Sequence, residues 1–163
     1  MRASDFNEVR GGATFFIESN SRSRENGVFV NGEVLLASPF PTWSDPLVDA
    51  LLRPRPHLGT TIATAGGTSE LYAGLTWDFP LVGGFFLDAS FGGAWHDGDL
   101  NAVPGRRGPA LGSRFLFRES VGLGYRFNAQ WNVLVEIDHA SNAGLASPND
   151  GLTHAGVLVG YRF

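Results

Sequence analysis

A histidine and a serine separated by one residue are the clearest candidates for chemistry in this sequence. His139 and Ser141 stand near the end of residues 131–141, a segment that alternates apolar and polar residues as a β-strand does. A histidine can take the proton of a serine hydroxyl and so create a nucleophile, and an acid that orients the imidazole completes such a triad. Glu119 is the candidate for the acid, and Asn142 is a nearby candidate to hydrogen-bond an oxyanion.

The spacing of this pair is weak evidence when it is taken alone. Side chains at positions i and i+2 of a strand lie about 6–7 Å apart at Cβ, so the strand has to bend or twist before the two groups meet. Capping of the strand end and hydrogen bonding at a membrane interface are structural alternatives for the same two residues. The elements around the pair decide between these interpretations.

Eight segments of the sequence have the alternation and composition of β-strands. Their ranges are 6–17, 28–37, 58–66, 69–79, 84–96, 114–127, 131–141 and 151–163. Polar loops are predicted at 18–27, 97–113 and 142–150, and a tight turn is predicted at Gly66-Gly67-Thr68. An even number of strands of this length is typical of an all-β, antiparallel up-and-down barrel that crosses a bilayer. We therefore predict a single transmembrane β-barrel domain over residues 1–163.

The two faces of the C-terminal strands favour a membrane barrel over a soluble one. One face carries large apolar side chains: Phe115, Phe117, Val121, Leu123, Tyr125 and Phe127. The opposite face carries arginine and small residues, which suits a lumen. Ion pairs are expected in that lumen among Arg114, Arg118, Arg126, Arg162, Glu136 and Asp138. A soluble, lipocalin-like barrel is the alternative, and it would need the Phe-rich face inside and the arginine face in water.

The motif GYRF ends two of the predicted strands, at 124–127 and 160–163. Both ends are expected on one side of the membrane, with their aromatic residues at its interface. The connection at 38–57 is rich in proline, which breaks a continuous strand. Ser44 or Asp45 can cap a short amphipathic helix there, with Pro46 at its first position, and a plain Pro-rich connector is the alternative.

Composition excludes several other classes of protein. The formal net charge is −4 and no run of Lys or Arg could follow a phosphate backbone, so we predict no nucleic-acid partner. There is no cysteine, which excludes disulfides and thiolate metal sites, and we predict neither a cofactor nor a metal. No apolar run is long enough for a transmembrane helix. Residues 1–5 hold no apolar leader, so for an exported protein we expect the mature form, after removal of a signal peptide.

Turn lengths predict which residues lie beside His139. A three-residue turn at 128–130 sets the register of the two strands that flank it, and this register places Glu119 opposite His139. Pairing across the last loop places Thr153 opposite His139 on its other side. By parity His139 and Ser141 continue the lipid-facing row, where polar side chains are costly. A slip of two residues in either register would separate these groups.

The stretch EIDHASNAGLASPNDGLT at 136–153 is more specific than the spacing of its histidine and serine. It resembles the PagL-type lipid A 3-O-deacylases of bacterial outer membranes. That family carries H-x-S-N-A-G followed by P-N-D-G or a similar run. The resemblance implies an eight-stranded barrel that hydrolyses the 3-position acyl ester of lipid A, with a serine, a histidine and an acid facing the lipid. It implies that His139 is the base, Ser141 the nucleophile and Asn142 the oxyanion donor. Asn149 matches the loop asparagine of the family.

The sequence departs from the family pattern at Thr153, which stands where the family has its triad glutamate. Three outcomes are open: Glu119 serves as the acid, the site works as a Ser/His dyad, or the chain is a non-catalytic relative. We expect a metal-independent ester hydrolase that acts on lipid A in the outer leaflet, and a structural or lipid-binding barrel is the alternative. The implied partners are lipopolysaccharide and the outer membrane, with a homodimer as one option for assembly. A pore is disfavoured because eight strands leave an interior that side chains just fill.

Overall fold

The computed structural model describes residues 6–17, 25–105 and 107–163, and the strands in these ranges close into one barrel. Each strand pairs antiparallel with the next along the chain, and the last pairs with the first. The strands are β1 (Phe6–Phe16), β2 (Val28–Leu36), β3 (Arg55–Ala63), β4 (Glu70–Pro80), β5 (Phe85–His96), β6 (Phe115–Arg126), β7 (Trp131–Ser141) and β8 (Leu152–Arg162). The predicted eight-stranded up-and-down barrel is confirmed. Most of the predicted loop at 18–27 lies outside the described residues.

The connection between β2 and β3 contains a short helix, α1 (Pro46–Leu52). The carboxylate of Asp45 accepts hydrogen bonds from two backbone N–H groups of the first turn, and Pro46 needs no N–H partner at the first helical position. The helical alternative for this connection is therefore confirmed. The indole Nε1 of Trp77 on β4 donates to the carbonyl of Leu51 (3.0 Å) and ties the helix to the barrel. Among the described residues, no helix is long and apolar enough to cross a membrane.

The third strand begins earlier than the sequence predicted. We expected it at 58–66, but β3 already includes Pro56. The ladder between β2 and β3 ends at the pair Leu35–His57, so Pro56 lies beyond it and its missing N–H leaves no bond of that ladder unmade. At the other end, residues 64–66 belong to the turn before β4 rather than to the strand.

Side chains alternate between the two faces of the barrel wall. On β6, Phe117, Val121 and Leu123 are exposed on the outside, whereas Arg118 and Ser120 are buried inside. The Phe-rich face is thus the outer one, as a lipid-facing surface requires and as a lipocalin-like barrel does not allow.

The two GYRF motifs end β6 and β8, which run in the same direction, so both motifs lie at the same end of the barrel. Tyr125 packs edge-on against Phe127, and Tyr161 packs in the same way against Phe163, with centroids 5.3 Å apart in each pair. Trp131 at the start of β7 joins this cluster, 4.9 Å from the ring of Tyr161. The prediction that both motifs lie on the same side is therefore confirmed, their place at a membrane interface stays a prediction, and His139 and Ser141 lie at the opposite end.

Charged side chains fill the lumen at the end where β1 begins and β8 ends. The carboxylate of Glu8 accepts from Arg10 at 2.9 Å and from Arg55 at 2.8 Å. Arg162 approaches the same carboxylate at 3.0 Å. Buried charges of this kind are tolerated only when they are paired and hydrogen-bonded. The network links β1, β3 and β8 across the interior.

Two further arginines make the ion pairs predicted for the lumen. Arg118 Nη2 lies 3.4 Å from Asp138 Oδ1 and 3.7 Å from Glu136 Oε1. Arg126 Nη2 lies 3.8 Å from Asp78 Oδ2. The prediction is wrong for Arg114, which is exposed at the rim and donates to the backbone carbonyls of His96, the last residue of β5, and Gly98. Because Arg114 precedes the first residue of β6, the alternation of the strand does not direct its side chain inward.

The opposite end of the lumen is filled by apolar side chains, which we call the apolar plug. Its members come from five strands and the loop after β5: Phe16, Phe29, Leu111, Leu116, Ala140 and Leu152. All are buried, and together they give the far ends of β6, β7 and β8 a packed support from inside. The outward-facing side chains at this end therefore belong to strands that are packed firmly from the inside.

Candidate active site on the outer face of β7

The strand registers bring the predicted catalytic residues together. In the ladder between β6 and β7, Glu119 pairs with His139, and in the ladder between β7 and β8, His139 pairs with Thr153. Both predicted registers are confirmed. Glu119 is exposed and the other two are half-buried, as is Ser141 at the end of β7. All four lie on the outer, lipid-facing side of the wall.

A hydrogen bond of 2.8 Å joins His139 Nδ1 to Thr153 Oγ1. When the hydroxyl accepts the Nδ1 proton, Nε2 carries a lone pair and is the nitrogen that can take a proton. Thr153 thus occupies the position of the residue that orients the base in a serine hydrolase. It supplies a hydrogen bond there, but no negative charge.

Gly151 makes room for the imidazole, and sequence reasoning missed this role. A Cβ at Gly151 would lie 2.8 Å from His139 Cε1 and 3.4 Å from Nε2, and the residue has a φ of +75°. A side chain would therefore displace the ring and also strain the backbone. The glycine of the P-N-D-G run was the available signal, but the sequence did not show that the ring packs against it.

Ser141 follows His139 on the same outward row and is the last residue of β7. Its ladder partner is Phe117, so the strand is still paired at this point. Within the described part of the chain, no hydrogen bond joins the Ser141 hydroxyl to His139. Such a bond would form by rotation of the Ser141 side chain, and catalytic hydrogen bonds are often unformed in hydrolases before substrate binds.

Glu119 stands directly across from His139 but does not orient it. Residues directly opposite on antiparallel strands have Cβ atoms about 4.5–5.5 Å apart, so the carboxylate is within reach of the ring. Among the described residues, however, Glu119 forms no hydrogen bond or ion pair, and Nδ1 is already bonded to Thr153. The register of Glu119 was predicted correctly, while its role as the acid stays a prediction.

The side chain of Asn142 organises the loop after β7. It is buried, and its Nδ2 donates to the carbonyls of Leu111 (2.8 Å) and Pro148 (2.9 Å). Its Oδ1 accepts from the backbone N–H of Gly144 at 2.9 Å. The Asn142 backbone N–H in turn donates to Asn149 Oδ1 (3.0 Å). Both predicted supporting asparagines are thus structural partners in the loop, and Asn142 could serve as oxyanion donor only by releasing one of these bonds.

The loop after β7 is also tied to the loop after β5. Asp150 accepts a hydrogen bond from the backbone N–H of Ala110 (2.9 Å), and its own N–H donates to the Ala110 carbonyl (3.1 Å). Its carboxylate is therefore engaged away from His139. These contacts position the loop, and with it Gly151, relative to the end of β7.

An apolar groove of about 490 Å³ opens on the outer surface beside Ser141. Its lining comes from β5, the loop between β5 and β6, β6 itself and the loop after β7: Phe91, Gly92, Gly93, Ser113, Phe115, Leu116, Phe117, Asn142, Leu145 and Ala146. The rings of Phe91 and Phe117 lie nearly parallel, 6.3 Å apart. Gly93 faces outward between the bulky Phe91 and Trp95, so the groove exists where this row lacks a side chain. This gap in an aromatic row is the signal that could have revealed the groove from sequence.

Comparisons with known proteins agree with this fold. The family model described as "Lipid A 3-O-deacylase (PagL)" matches residues 50–162, which is more than half of the chain. A search of the curated proteins finds no match. The crystal structure of the outer membrane enzyme PagL is similar with a TM-score of 0.64 and 22% identity, and the alignment covers 95% of this chain and 97% of that one.

Two further solved structures share the barrel. Neisserial surface protein A (NspA) has a TM-score of 0.59 at 13% identity, with 100% of both chains covered. The Yersinia pestis outer membrane protein Ail, in a phospholipid bilayer nanodisc, has a TM-score of 0.53 at 11% identity, with 98% of this chain and 99% of that chain covered. At these identities the structural likeness shows the fold, and the family match is what bears on activity.

Proposed function

Because the chain belongs to the lipid A 3-O-deacylase (PagL) family of outer-membrane ester hydrolases, we propose that it cleaves the 3-position acyl ester of lipid A with Ser141 as nucleophile and His139 as base. The observation that carries the proposal is the 2.8 Å hydrogen bond between His139 Nδ1 and Thr153 Oγ1. It holds the imidazole on the lipid-facing surface two residues from a serine. Polar side chains are costly on the lipid side, so a histidine, its hydroxyl partner and a serine that share this face point to a functional site.

The proposed reaction proceeds through an acyl-enzyme. His139 Nε2 takes the Ser141 hydroxyl proton while Oγ attacks the ester carbonyl carbon. The tetrahedral intermediate collapses, the C–O bond to the sugar breaks, and the imidazolium returns its proton to the departing 3-hydroxyl oxygen. A water then attacks the acyl-serine with His139 again as base, and the products are the fatty acid and the free serine.

The threonine at position 153 explains how such a site differs from a full triad. Its hydroxyl fixes the orientation of His139, but it does not stabilise the positive charge that the imidazole acquires. We propose that Glu119, directly opposite on β6, supplies part of that stabilisation through space. Loss of the orienting acid in a serine triad can lower the rate by about 10⁴-fold, so the enzyme is expected to be slow.

The groove beside Ser141 fits the acyl chain of the proposed substrate. Its lining is largely apolar and it lies on the outer face of the barrel, so in the proposed orientation it would face the hydrocarbon of the outer leaflet, where the chains of lipid A lie. A chain held between Phe91 and Phe117 would present its ester at the end of β7. Lipid A and the outer membrane are thus the proposed partners. The homodimer considered from sequence stays a prediction, and the mass of the detergent-solubilised protein tests it.

Mass spectrometry of lipid A from cells that express the protein tests the proposed function. We expect wild-type cells to lose one acyl chain from the 3-position, and cells with Ser141→Ala to keep it. Ser147→Ala is the matched control, since Ser147 is an exposed serine in the loop that follows β7. This variant should deacylate lipid A as the wild type does. Unchanged lipid A in cells whose wild-type protein is folded and inserted would contradict the proposal and favour a non-catalytic barrel.

A further inference from the structure

Directly behind the candidate active site, three ligand-type side chains converge inside the lumen. Glu70 on β4, Asp138 on β7 and His154 on β8 each offer one ligand atom, and these atoms lie within 4.8 Å of one another. We propose that Glu70, Asp138 and His154 bind a zinc ion that cross-links the three strands. The site is separate from the proposed Ser141 chemistry, because it faces the lumen while Ser141 faces the lipid.

The cluster holds buried polar atoms that lack the partners such atoms normally have. Glu70 is 2% exposed and His154 is 0% exposed. Among the described residues, three atoms of the cluster have no hydrogen-bond partner. They are the two carboxylate oxygens of Glu70 and the Nε2 of His154. Buried polar atoms are almost always satisfied, and each one left unsatisfied costs about 1–3 kcal/mol. A cation bound in the cluster would give the oxygens of Glu70 the partner that they lack.

The charges around the cluster favour a cation. Asp138, Glu136 and Glu70 bring three carboxylates to this part of the lumen, and Arg118 is the cation described beside them. The guanidinium of Arg118 also lies over the ring of Tyr72, 3.9 Å from its centroid, which holds it to one side of the cluster. Two carboxylates and a neutral imidazole compensate the charge of a divalent ion.

The donor set and its spacing suit zinc. Zinc accepts imidazole nitrogen and carboxylate oxygen at about 2.0–2.2 Å, which puts neighbouring ligands of a tetrahedral ion roughly 3.4 Å apart. His154 Nδ1 and Asp138 Oδ1 are 3.3 Å apart, so this pair already has such a spacing. Glu70 has a long, flexible side chain and can close the remaining distance by a change of rotamer.

The apolar plug determines how the ion would enter. The rings of Phe16 and Phe29 lie 5.7 and 4.6 Å from the His154 ring and cover the cluster on the rim side. Zinc is therefore expected to enter while the barrel folds and to exchange slowly afterwards. Once bound, it would hold the strands that carry His139 and Thr153, since Asp138 and His154 are their chain neighbours.

Zinc uptake during refolding tests the proposal. The full chain, without a histidine tag, is refolded from urea into detergent micelles with and without zinc chloride, desalted, and analysed for metal and for unfolding temperature. We expect about one zinc per chain and a higher unfolding temperature in the zinc-refolded protein. Glu70→Gln should lower the apparent zinc affinity by at least about 10-fold, since it removes a charged ligand.

Two control variants separate this site from other histidines. Glu33→Gln removes the carboxylate 3.8 Å from His57 Nδ1, a lumen pair with no third ligand around it among the described residues, and zinc should be retained. His139→Ala removes the histidine of the outer face and should also retain zinc. Zinc that is absent from the wild type, or that is lost in His139→Ala but kept in Glu70→Gln, overturns the proposal.

X-ray absorption at the zinc edge decides the matter if Glu70→Gln does not fold. For the zinc-refolded wild type we expect a shell of oxygen and nitrogen with a single imidazole. A shell with two or more imidazoles would contradict the proposed ligands, because the cluster holds only one histidine.

Discussion

Two neighbouring rungs of the β7–β8 ladder, each a pair of residues directly opposite one another, carry histidines that face opposite sides of the barrel wall. His139 pairs with Thr153 and faces the lipid, while Asp138 pairs with His154 and faces the lumen. Each histidine uses Nδ1 to bond its partner, at 2.8 Å on the outside and 3.3 Å on the inside. In the inner pair the histidine bonds a carboxylate, but it lies in the lumen where a lipid substrate cannot reach it. In the outer pair the histidine can meet a lipid, but its partner carries no carboxylate.

The surroundings of the two rungs account for this difference. Inside, Arg118 lies 3.4 Å from Asp138 and balances its charge. Outside, the next outward rung is Ile137–Ala155, and a carboxylate beside it would face hydrocarbon. The same ladder geometry thus supports a buried ion pair on one side and a neutral hydrogen bond on the other. Glu119 already brings one carboxylate to the outer face at this position, and a threonine at 153 adds no second charge beside the hydrocarbon.

Exchange of each histidine for glutamine should give the largest contrast between the two rungs. We expect His139→Gln to lower kcat/KM by at least about 10³-fold, because the base is lost. His154→Gln should retain activity within several-fold and instead destabilise the barrel by about 1–3 kcal/mol, because a buried partner of Asp138 is lost. Deacylation of purified lipid A and urea unfolding in detergent measure the two effects. Equal losses of activity in both variants would break the comparison.

Restoring a carboxylate to the outer rung should raise activity. Thr153→Glu places a negative charge beside His139 Nδ1, and we expect kcat to rise by about 10²-fold, below the roughly 10⁴-fold ceiling for an orienting acid. Thr153→Gln is the matched uncharged variant and should not raise it. A gain in both variants would mean that side-chain length, rather than charge, limits the reaction.

Glu119 should contribute less than position 153, because it faces His139 without a hydrogen bond. We expect Glu119→Gln to lower kcat by about 10-fold and to leave KM unchanged, which is the pattern of an interaction made only in the transition state. Initial rates over a range of lipid A concentrations separate the two parameters. Full activity in Glu119→Gln would leave the Ser/His dyad as the whole machinery.

Filling the groove should have the smallest effect, and the effect should depend on the acyl chain. A Cβ at Gly93 would meet only the Leu116 carbonyl, at 3.6 Å, so Gly93→Leu should fold normally. We expect kcat/KM to fall several-fold for long acyl chains and less for short ones. Gly11→Leu is the matched control, because Gly11 faces outward on β1 with its nearest atom at 3.8 Å. Equal effects of the two substitutions would argue against the groove as the acyl site.

The registers around His139 could be predicted from sequence for two reasons. A short turn fixes which residues of the two strands pair, and the two-residue repeat of a strand fixes the face on which each side chain lies. The three-residue turn at 128–130 sets the pairing of β6 with β7, and parity then fixes which side chains face the lipid. The hydrogen bonds of Asn142 could not be predicted, since its partner Leu111 comes from a loop 31 residues earlier. The expectation that proline interrupts a strand misplaced the start of β3. Pro56 is tolerated in β3 because the ladder with β2 has already ended at His57.

The lumen cluster was beyond the reach of sequence patterns for a different reason. Glu70 meets Asp138 and His154 only because the barrel closes and brings β4 across from β7 and β8. No local spacing encodes such a contact, and the same residues look like ordinary inward-facing polar positions. The alternation of β7 correctly directed Asp138 to the lumen, but it did not show what Asp138 meets there.

Covalent labelling of the purified protein with a lipophilic fluorophosphonate tests the central claim most directly. An activated serine forms a phosphonyl ester that peptide mass spectrometry locates to a single residue. The account predicts one modified serine, Ser141, with labelling abolished in His139→Gln and accelerated in Thr153→Glu. Labelling of a different serine, or equal labelling of Ser141 in wild type and His139→Gln, would contradict it.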